Sequence, residues 1–141
     1  MTSPANALPP VLIAEDDPND LFLVRRFLAQ AGVKNPVVTF ADGEEAIAFL
    51  RGTCAAGLRE KALQPCVLFL DIKMPKLDGF DVLRWIRKQP ALKELPVVVL
   101  SGSDEPSDIK RAKELGAMSF LTKYPPAAVF AEVIAKAMRD C

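Results

Sequence analysis

Several side chains able to do chemistry stand directly after short apolar runs of this 141-residue sequence. Three kinds of group are represented: carboxylates, a hydroxyl and an amine. In chain order these residues are Glu15, Asp16, Asp17, Asp71, Ser101 and Lys123. Each residue taken alone has an ordinary structural explanation, such as a helix cap or a solvated surface charge. Glu15 and Asp16 are harder to explain in that way, because adjacent like charges repel unless a cation or water screens them.

Carboxylates without histidine or thiolate partners make a hard-oxygen site. The sequence contains no histidine, which excludes Ser-His and Cys-His nucleophilic pairs and histidine metal ligands. Oxygen ligands suit Mg²⁺ better than Zn²⁺, and Mg²⁺ is commonly bound by one or two carboxylates together with the oxygens of a phosphate. A carboxylate can also act as a nucleophile and form an acyl phosphate, while a cation and a lysine ammonium neutralise the phosphoryl oxygens. The residue types therefore indicate phosphoryl transfer onto a carboxylate of the protein.

The apolar runs that precede these residues are typical of buried strands. They are Val11 to Ala14, Val37 to Ala41, Cys66 to Leu70, Val97 to Leu100 and Met118 to Thr122. Unbroken apolar runs are expected when both faces of a parallel sheet are covered. Helical segments separate the runs, so the order predicts an α/β fold with three layers and a doubly wound, five-stranded parallel sheet. Ligands of such sheets bind at the carboxyl ends of the strands, where the residues named above would meet.

The helical segments carry recognisable start and stop signals. We expect a first helix between Pro18 and Gly32, a second from about Glu44 to Arg51, a third from Gly79 to about Lys88, a fourth capped by Ser103 or Asp104 and ending at Gly116, and a last one from about Pro126. The longest irregular stretch is expected at about Gly52 to Gln64.

Composition limits the classes of function. The length fits one domain, and the 50% of hydrophobic residues are enough for a core. Lys plus Arg number 18 and Asp plus Glu number 18, so the net charge is zero and nucleic-acid binding is not expected. The apolar runs are too short to cross a membrane, and residues 1–9 are expected to form a flexible tail, not a secretory signal. Cys54, Cys66 and Cys141 lack metal-ligand spacing, which favours reduced thiols in the cytoplasm.

The chemical residues and their surroundings resemble the receiver domain of two-component response regulators. The resemblance rests on Glu15-Asp16, on Asp71-Ile72-Lys73-Met74-Pro75-Lys76-Leu77-Asp78-Gly79, on Ser101-Gly102 and on Lys123. It extends from about Val11 to the C-terminus. It implies a (βα)5 fold of the flavodoxin-like, CheY-like kind, with residues 10–141 forming the receiver domain and no output domain.

The resemblance also implies a phosphoacceptor and a metal site. Asp71 would accept the phosphoryl group. Glu15, Asp16 and Asp71 would hold Mg²⁺, with Asp16 as a direct ligand, and Lys73 would contribute its backbone carbonyl. No other cofactor is expected.

Further positions of the resemblance lie after the fourth and fifth predicted strands. Ser101 and Lys123 would contact the phosphoryl group, and Phe120 would occupy the aromatic switch position. Core packing explains Phe120 equally well, and any switching would come from its rotamer because phenylalanine has no hydroxyl. Most receivers have a proline with a cis peptide bond directly after the lysine, whereas Tyr124 stands here, so the sequence leaves the isomer of that bond open.

Three features resemble a narrower group, the small single-domain regulators that partner bacterial and cyanobacterial phytochrome histidine kinases. They are the stretch around Gly52 to Gln64, the helix start Pro18-Asn19-Asp20, and the absence of an output domain. The resemblance implies a stand-alone cytoplasmic signalling protein, not an enzyme beyond its own phosphorylation and dephosphorylation. Its partner would be a sensor histidine kinase, and self-association would use the face of the fourth helix, fifth strand and fifth helix.

Other functions compete with this interpretation. An adaptor with a receiver fold that works without phosphorylation would be favoured by a missing acid or lysine, and none is missing. A phosphatase of the haloacid dehalogenase type needs an aspartate two residues after its nucleophile, where this chain has Lys73. A flavin mononucleotide carrier would place its phosphate against Glu15-Asp16-Asp17, where a loop rich in glycine, serine or threonine is required.

Overall fold

The computed structural model of the protein describes residues 8–56 and 65–138. Within these ranges the strands are β1 (Val11–Ala14), β2 (Val37–Phe40), β3 (Val67–Asp71), β4 (Val97–Ser101) and β5 (Ser119–Thr122). The helices are α1 (Pro18–Gln30), α2 (Gly43–Ala56), α3 (Gly79–Arg87), α4 (Pro106–Glu114) and α5 (Ala127–Met138), and a 3₁₀ turn (Pro90–Leu92) follows α3. None of the helices in the described ranges is long and apolar enough to cross a membrane.

The described strands form one parallel sheet in the order β2-β1-β3-β4-β5. The chain therefore starts in the middle of the sheet, moves to one edge, and then crosses back over β1 to build the other half. The strand order reverses between β1 and β3, and a crevice opens beyond their carboxyl ends at such a point. The predicted three-layer, doubly wound α/β fold is confirmed.

Helices cover both faces of the sheet, and each face has its own apolar core. Leu68 and Phe69 point to opposite faces because side chains alternate along a strand. One core joins Leu68 to Leu12, Leu70, Ile47, Leu50, Leu83 and Ile86, and so holds α2 and α3. The other joins Phe69 to Ile13, Val24, Leu28, Val98, Phe130 and Ile134, and so holds α1 and α5. Since both faces are covered, the strands read as unbroken apolar runs.

The start of α4 differs from the sequence prediction. Ser103 and Asp104 were expected to cap this helix, but Glu105 is the N-cap and Pro106 is the first helical residue. Proline suits that position because its fixed φ matches a helix and its missing N–H has no helical partner there. The N–H of Ser103 instead donates to the Oγ of Ser101 at 3.1 Å.

Two predicted irregular segments are only partly visible. α2 continues to Ala56, so residues 52–56 of the stretch expected to be irregular are helical, and residues 57–64, the rest of that stretch, lie outside the described residues. Of the expected N-terminal tail, residues 1–7 also lie outside the described residues, while residues 8 and 9 have no regular structure.

Phe130 offers a test of the core between the sheet and the helices α1 and α5. Its side chain is fully buried, 5.4 Å from the Phe27 ring centroid and 5.7 Å from that of Phe69. We expect Phe130→Ala to lower the free energy of unfolding by about 3–5 kcal/mol, since the change leaves a cavity. Phe22→Ala is the control, because Phe22 is 62% exposed and its truncation should cost less than about 0.5 kcal/mol. Urea unfolding of both variants measures the difference, and equal losses would contradict the described packing.

Candidate functional site

Three carboxylates predicted from the sequence meet at the crevice between β1 and β3. Glu15 follows β1 and its N–H donates to the Phe40 carbonyl at 2.9 Å, so pairing with β2 orients it. Asp71 is the last residue of β3. Ligand oxygens of Glu15, Asp16 and Asp71 all lie within 4.8 Å of one another. Glu15 and Asp71 are buried, whereas Asp16 is exposed, so the cluster opens to solvent on one side.

The Lys123 ammonium lies among these carboxylates. Its backbone N–H donates to the Ser101 carbonyl at 2.7 Å, which fixes Lys123 at the end of β5. The Nζ atom donates to Glu15 Oε1 at 2.6 Å, to Asp20 Oδ2 at 2.9 Å and to Asp71 Oδ2 at 3.2 Å. Its side chain is only 9% exposed. One buried cation is therefore shared by three anions.

Burial and the shared hydrogen bonds together set the pKa values of Glu15 and Lys123. The pKa of Glu15 is raised to about 7, first by burial and then by the contact with Asp71, and the hydrogen bonds from Lys123 and from the Asp17 N–H only partly offset these two causes. Burial alone would lower the pKa of Lys123, but the hydrogen bonds to Glu15 and Asp20 outweigh it, so its pKa lies above the ordinary value. The ammonium therefore stays charged, and the pKa of Glu15 places its titration near neutral pH.

Both oxygens of Asp71 are held by hydrogen bonds. The backbone N–H of Lys73 donates to Oδ1 at 3.1 Å, and Lys123 holds Oδ2. The backbone of Asp71 is also closely covered, because a Cβ added to Gly79 would lie 2.5 Å from the Asp71 carbonyl oxygen and 2.6 Å from the Ile72 Cα. Only glycine fits there, which gives a physical reason for the glycine eight residues after Asp71.

Asp78 begins α3 with a capping box directly before this glycine. Its carboxylate accepts from the Asp81 N–H at 2.9 Å, and the Asp81 carboxylate accepts from the Asp78 N–H at 3.3 Å. Such reciprocal bonds satisfy two backbone donors of the first helical turn. The Asp-Gly pair thus fixes where α3 starts and how closely it approaches Asp71.

Two further predicted residues lie on β4 and β5. Ser101 is fully buried at the end of β4 and pairs with Thr122 in the sheet. Phe120, on β5, is half-buried and packs against a small apolar cluster that contains Ile72, Phe80, Val99 and Ala112. Phe120 therefore lies between the β3–α3 connection and α4.

The structure gives the isomer of the peptide bond after Lys123, which the sequence left open. The Lys123–Tyr124 peptide bond is cis, although the second residue is not proline. Tyr124 is 39% exposed, and its ring centroid lies 6.4 Å from that of Phe27 on α1.

Asp20 is a part of the site that the sequence reasoning missed. It entered that reasoning only within the Pro18-Asn19-Asp20 helix start, yet its carboxylate holds Lys123. A usable signal was present, since α1 begins directly after β1 and its first turn must lie at the same edge of the sheet. What periodicity could not supply is the direction of a side chain that meets a residue 103 positions away.

The close approach at Gly79 can be tested by a pair of glycine substitutions. Gly79→Ala should lower the free energy of unfolding by about 1–3 kcal/mol, because the added methyl group meets backbone atoms that cannot rotate away. Gly52→Ala is the matched control: nothing lies within 4 Å of its added Cβ, and it lies within α2. That change should raise the free energy of unfolding by about 0.5–1 kcal/mol. Denaturant unfolding decides, and a Gly79→Ala variant as stable as the original chain would refute the described contact.

Comparison with known proteins agrees with this geometry. Residues 11–135 match the response regulator receiver domain family. Response regulator Rcp1 from Synechocystis sp. is 34% identical over 123 residues, which are 87% of this chain and 82% of that protein. A crystal structure of Rcp1 in its Mn²⁺-bound form superimposes with a TM-score of 0.71 at 30% identity, covering 93% of this chain and 90% of that chain.

Two other solved structures are similar over most of the chain. The bacteriophytochrome response regulator AtBRR is 36% identical, covers 92% of each chain and has a TM-score of 0.77. The phosphorylated cyanobacterial phytochrome response regulator RcpA is 34% identical, with 95% and 91% coverage and a TM-score of 0.72. Because the family match spans residues 11–135 and Rcp1 is similar over most of its own length, the chain belongs to the response regulator receiver domain family.

Proposed function

We propose that this chain is a response regulator receiver whose Asp71 accepts a phosphoryl group from the phosphohistidine of a sensor kinase in a Mg²⁺-dependent reaction. The observation that carries the proposal is the position of the Asp71 carboxylate. It lies beside two further acids, and the Lys123 ammonium is 3.2 Å from one of its oxygens. A nucleophilic oxygen, ligands for a divalent cation and a fixed positive charge are thus within reach of one phosphoryl group.

The residues of the acidic cluster fit a magnesium ion. All the side-chain donors are carboxylate oxygens, and these lie within 4.8 Å of one another. Such a donor set is the one that Mg²⁺ prefers and Zn²⁺ does not. Glu15, Asp16, Asp71 and the Lys73 carbonyl would hold the ion, which supplies charge neutralisation for the phosphoryl oxygens when bound.

The transfer itself needs little of the protein beyond positioning and charge. An Asp71 oxygen forms a bond to phosphorus while the bond between phosphorus and the donor's imidazole nitrogen breaks, and its electron pair returns to that nitrogen. Lys123 stabilises the negative charge on the phosphoryl oxygens, and the Ser101 hydroxyl donates a hydrogen bond to one of them. We regard these steps as self-modification, so the chain is a signalling domain and not an enzyme with a separate substrate.

The signal leaves the site through β4, β5 and α4. In the unphosphorylated chain the Ser103 N–H donates to the Ser101 Oγ and so holds the β4–α4 connection. When Ser101 and Lys123 turn to the phosphoryl group, this hydrogen bond is lost and the connection is released. Ala112 is the buried residue of α4, so this helix is weakly anchored and its position is easily biased. Phe120 packs between the two regions, and its rotamer would follow the shift.

The partner we propose is a phytochrome-type histidine kinase in the cytoplasm, where the ATP that charges such a kinase is found. Support comes from AtBRR and RcpA, which are response regulators of bacteriophytochrome and cyanobacterial phytochrome and are 36% and 34% identical to this chain. The proposal includes a homodimer through the face of α4, β5 and α5, which rests on the family resemblance, and no binding of nucleic acid.

Asp71→Asn tests the acceptor. Wild-type chain incubated with acetyl phosphate and Mg²⁺ should gain a single phosphoryl adduct in its intact mass, and omission of Mg²⁺ should remove the adduct. The variant should gain none, because an amide cannot act as the nucleophile. Asp104→Asn, an exposed aspartate outside the site, is the control and should be modified like wild type.

Two results would contradict the proposal. An adduct that persists in Asp71→Asn would place the acceptor elsewhere. A folded wild-type chain that gains no adduct from acetyl phosphate or from a partner kinase would favour the phosphorylation-independent adaptor.

A further inference from the structure

Asp20 holds the Lys123 ammonium from outside the acidic cluster. It lies in the first turn of α1, and its Oδ2 accepts from Nζ at 2.9 Å, a shorter distance than the 3.2 Å to Asp71. Its side chain is 24% exposed, against 9% for Lys123. Asp20 is not one of the residues whose oxygens converge as candidate metal ligands.

Lys123 and a divalent cation compete for the same oxygens. Two of the three acceptors of Nζ, Glu15 and Asp71, belong to the acidic cluster. A cation that enters this cluster repels the ammonium and takes over oxygens that the ammonium now holds. Lys123 must then give up at least part of its contact with Glu15, while its buried position makes an unpaired charge costly.

We propose that Asp20 is a positioning residue that retains the Lys123 ammonium when Mg²⁺ occupies the acidic cluster, an inference that rests on the proposed function above. Asp20 offers the ammonium an anion that the metal does not use. The metal can therefore displace Lys123 from Glu15 without leaving the ammonium unpaired. Because Asp20 keeps Lys123 beside Asp71, the same contact leaves the ammonium within reach of an incoming phosphoryl group.

A contact that is stronger in the Mg²⁺-bound chain than in the metal-free chain raises the affinity for Mg²⁺. Since Asp20 binds Lys123 more strongly once Glu15 is withdrawn, Asp20→Asn should weaken Mg²⁺ binding by about tenfold, the size expected for a charge-assisted hydrogen bond. Lys123→Met removes the competing cation and should tighten Mg²⁺ binding. In the Lys123→Met background, Asp20→Asn should change the affinity by less than about threefold, because only a screened charge is lost.

Asp17→Asn is the matched control for charge. It removes the same charge three residues earlier, but the Asp17 carboxylate accepts from the N–H groups of Asn19 and Asp20 and caps α1. Asparagine caps a helix about as well as aspartate. We expect less than about a threefold loss of Mg²⁺ affinity in this variant. Thermal unfolding of each variant verifies that the fold is retained.

The experiment is a calorimetric Mg²⁺ titration of the wild type, the three single variants and the Asp20→Asn/Lys123→Met double variant. A second readout is NMR of the lysine ammonium groups: in the Mg²⁺-loaded chain the Lys123 protons should exchange slowly with water, and Asp20→Asn should remove that protection.

Each contrary outcome has a separate meaning. Equal losses of Mg²⁺ affinity in Asp17→Asn and Asp20→Asn would show that Asp20 acts only through its negative charge, which overturns the inference. A tenfold loss that persists in the Lys123→Met background would show that Asp20 acts on the metal directly, which also overturns it. A wild-type chain that binds no Mg²⁺ would overturn the proposed function itself, and the inference with it.

Discussion

One buried ammonium shared by three carboxylates is the interaction on which the rest of the site depends. Nζ of Lys123 lies between 2.6 and 3.2 Å from oxygens of Glu15, Asp20 and Asp71. Burial is the largest cause of the raised pKa of Glu15, about 7, and the contact with Asp71 adds to it. With Asp16 and Asp71 also in the cluster, one ammonium does not balance the carboxylates. A site with surplus negative charge attracts a divalent cation, and the Lys123 ammonium can change its hydrogen-bond partner when a new anion binds nearby. The same imbalance supports both the metal binding and the switching that we propose.

The fold brings three strand ends together at the site. Glu15 and Lys123 directly follow β1 and β5, and Asp71 ends β3; these strands are not consecutive in sequence. The parallel order β2-β1-β3-β4-β5 directs all their carboxyl ends to one edge. The two apolar cores hold the strands rigidly. The buried residue of α4 is Ala112, so this helix is held more weakly and can change position more easily. Rigid support and a weakly anchored neighbour are what a two-state switch requires.

Much of this arrangement could be predicted from the sequence, for identifiable reasons. Strands covered on both faces are uniformly apolar, so their ends are easily located, and parallel topology then places Glu15 and Asp71 at one edge. The start of α4 was predicted wrongly because several residues in Ser103-Asp104-Glu105 can cap a helix, and Pro106 decided among them. The Asp20–Lys123 contact was not predicted because it joins residues 103 positions apart and depends on how α1 packs against α5 and the sheet, which no local pattern records.

The most direct measurement of the central claim is to locate the phosphoryl group chemically. Borohydride reduction converts an aspartyl phosphate to homoserine, and peptide mapping by tandem mass spectrometry then identifies the modified position. After treatment with acetyl phosphate and Mg²⁺, we expect homoserine at position 71 alone, and none when Mg²⁺ is omitted. Homoserine at position 16 or 20, or a phosphate ester on Ser101 with Asp71 intact, would contradict it.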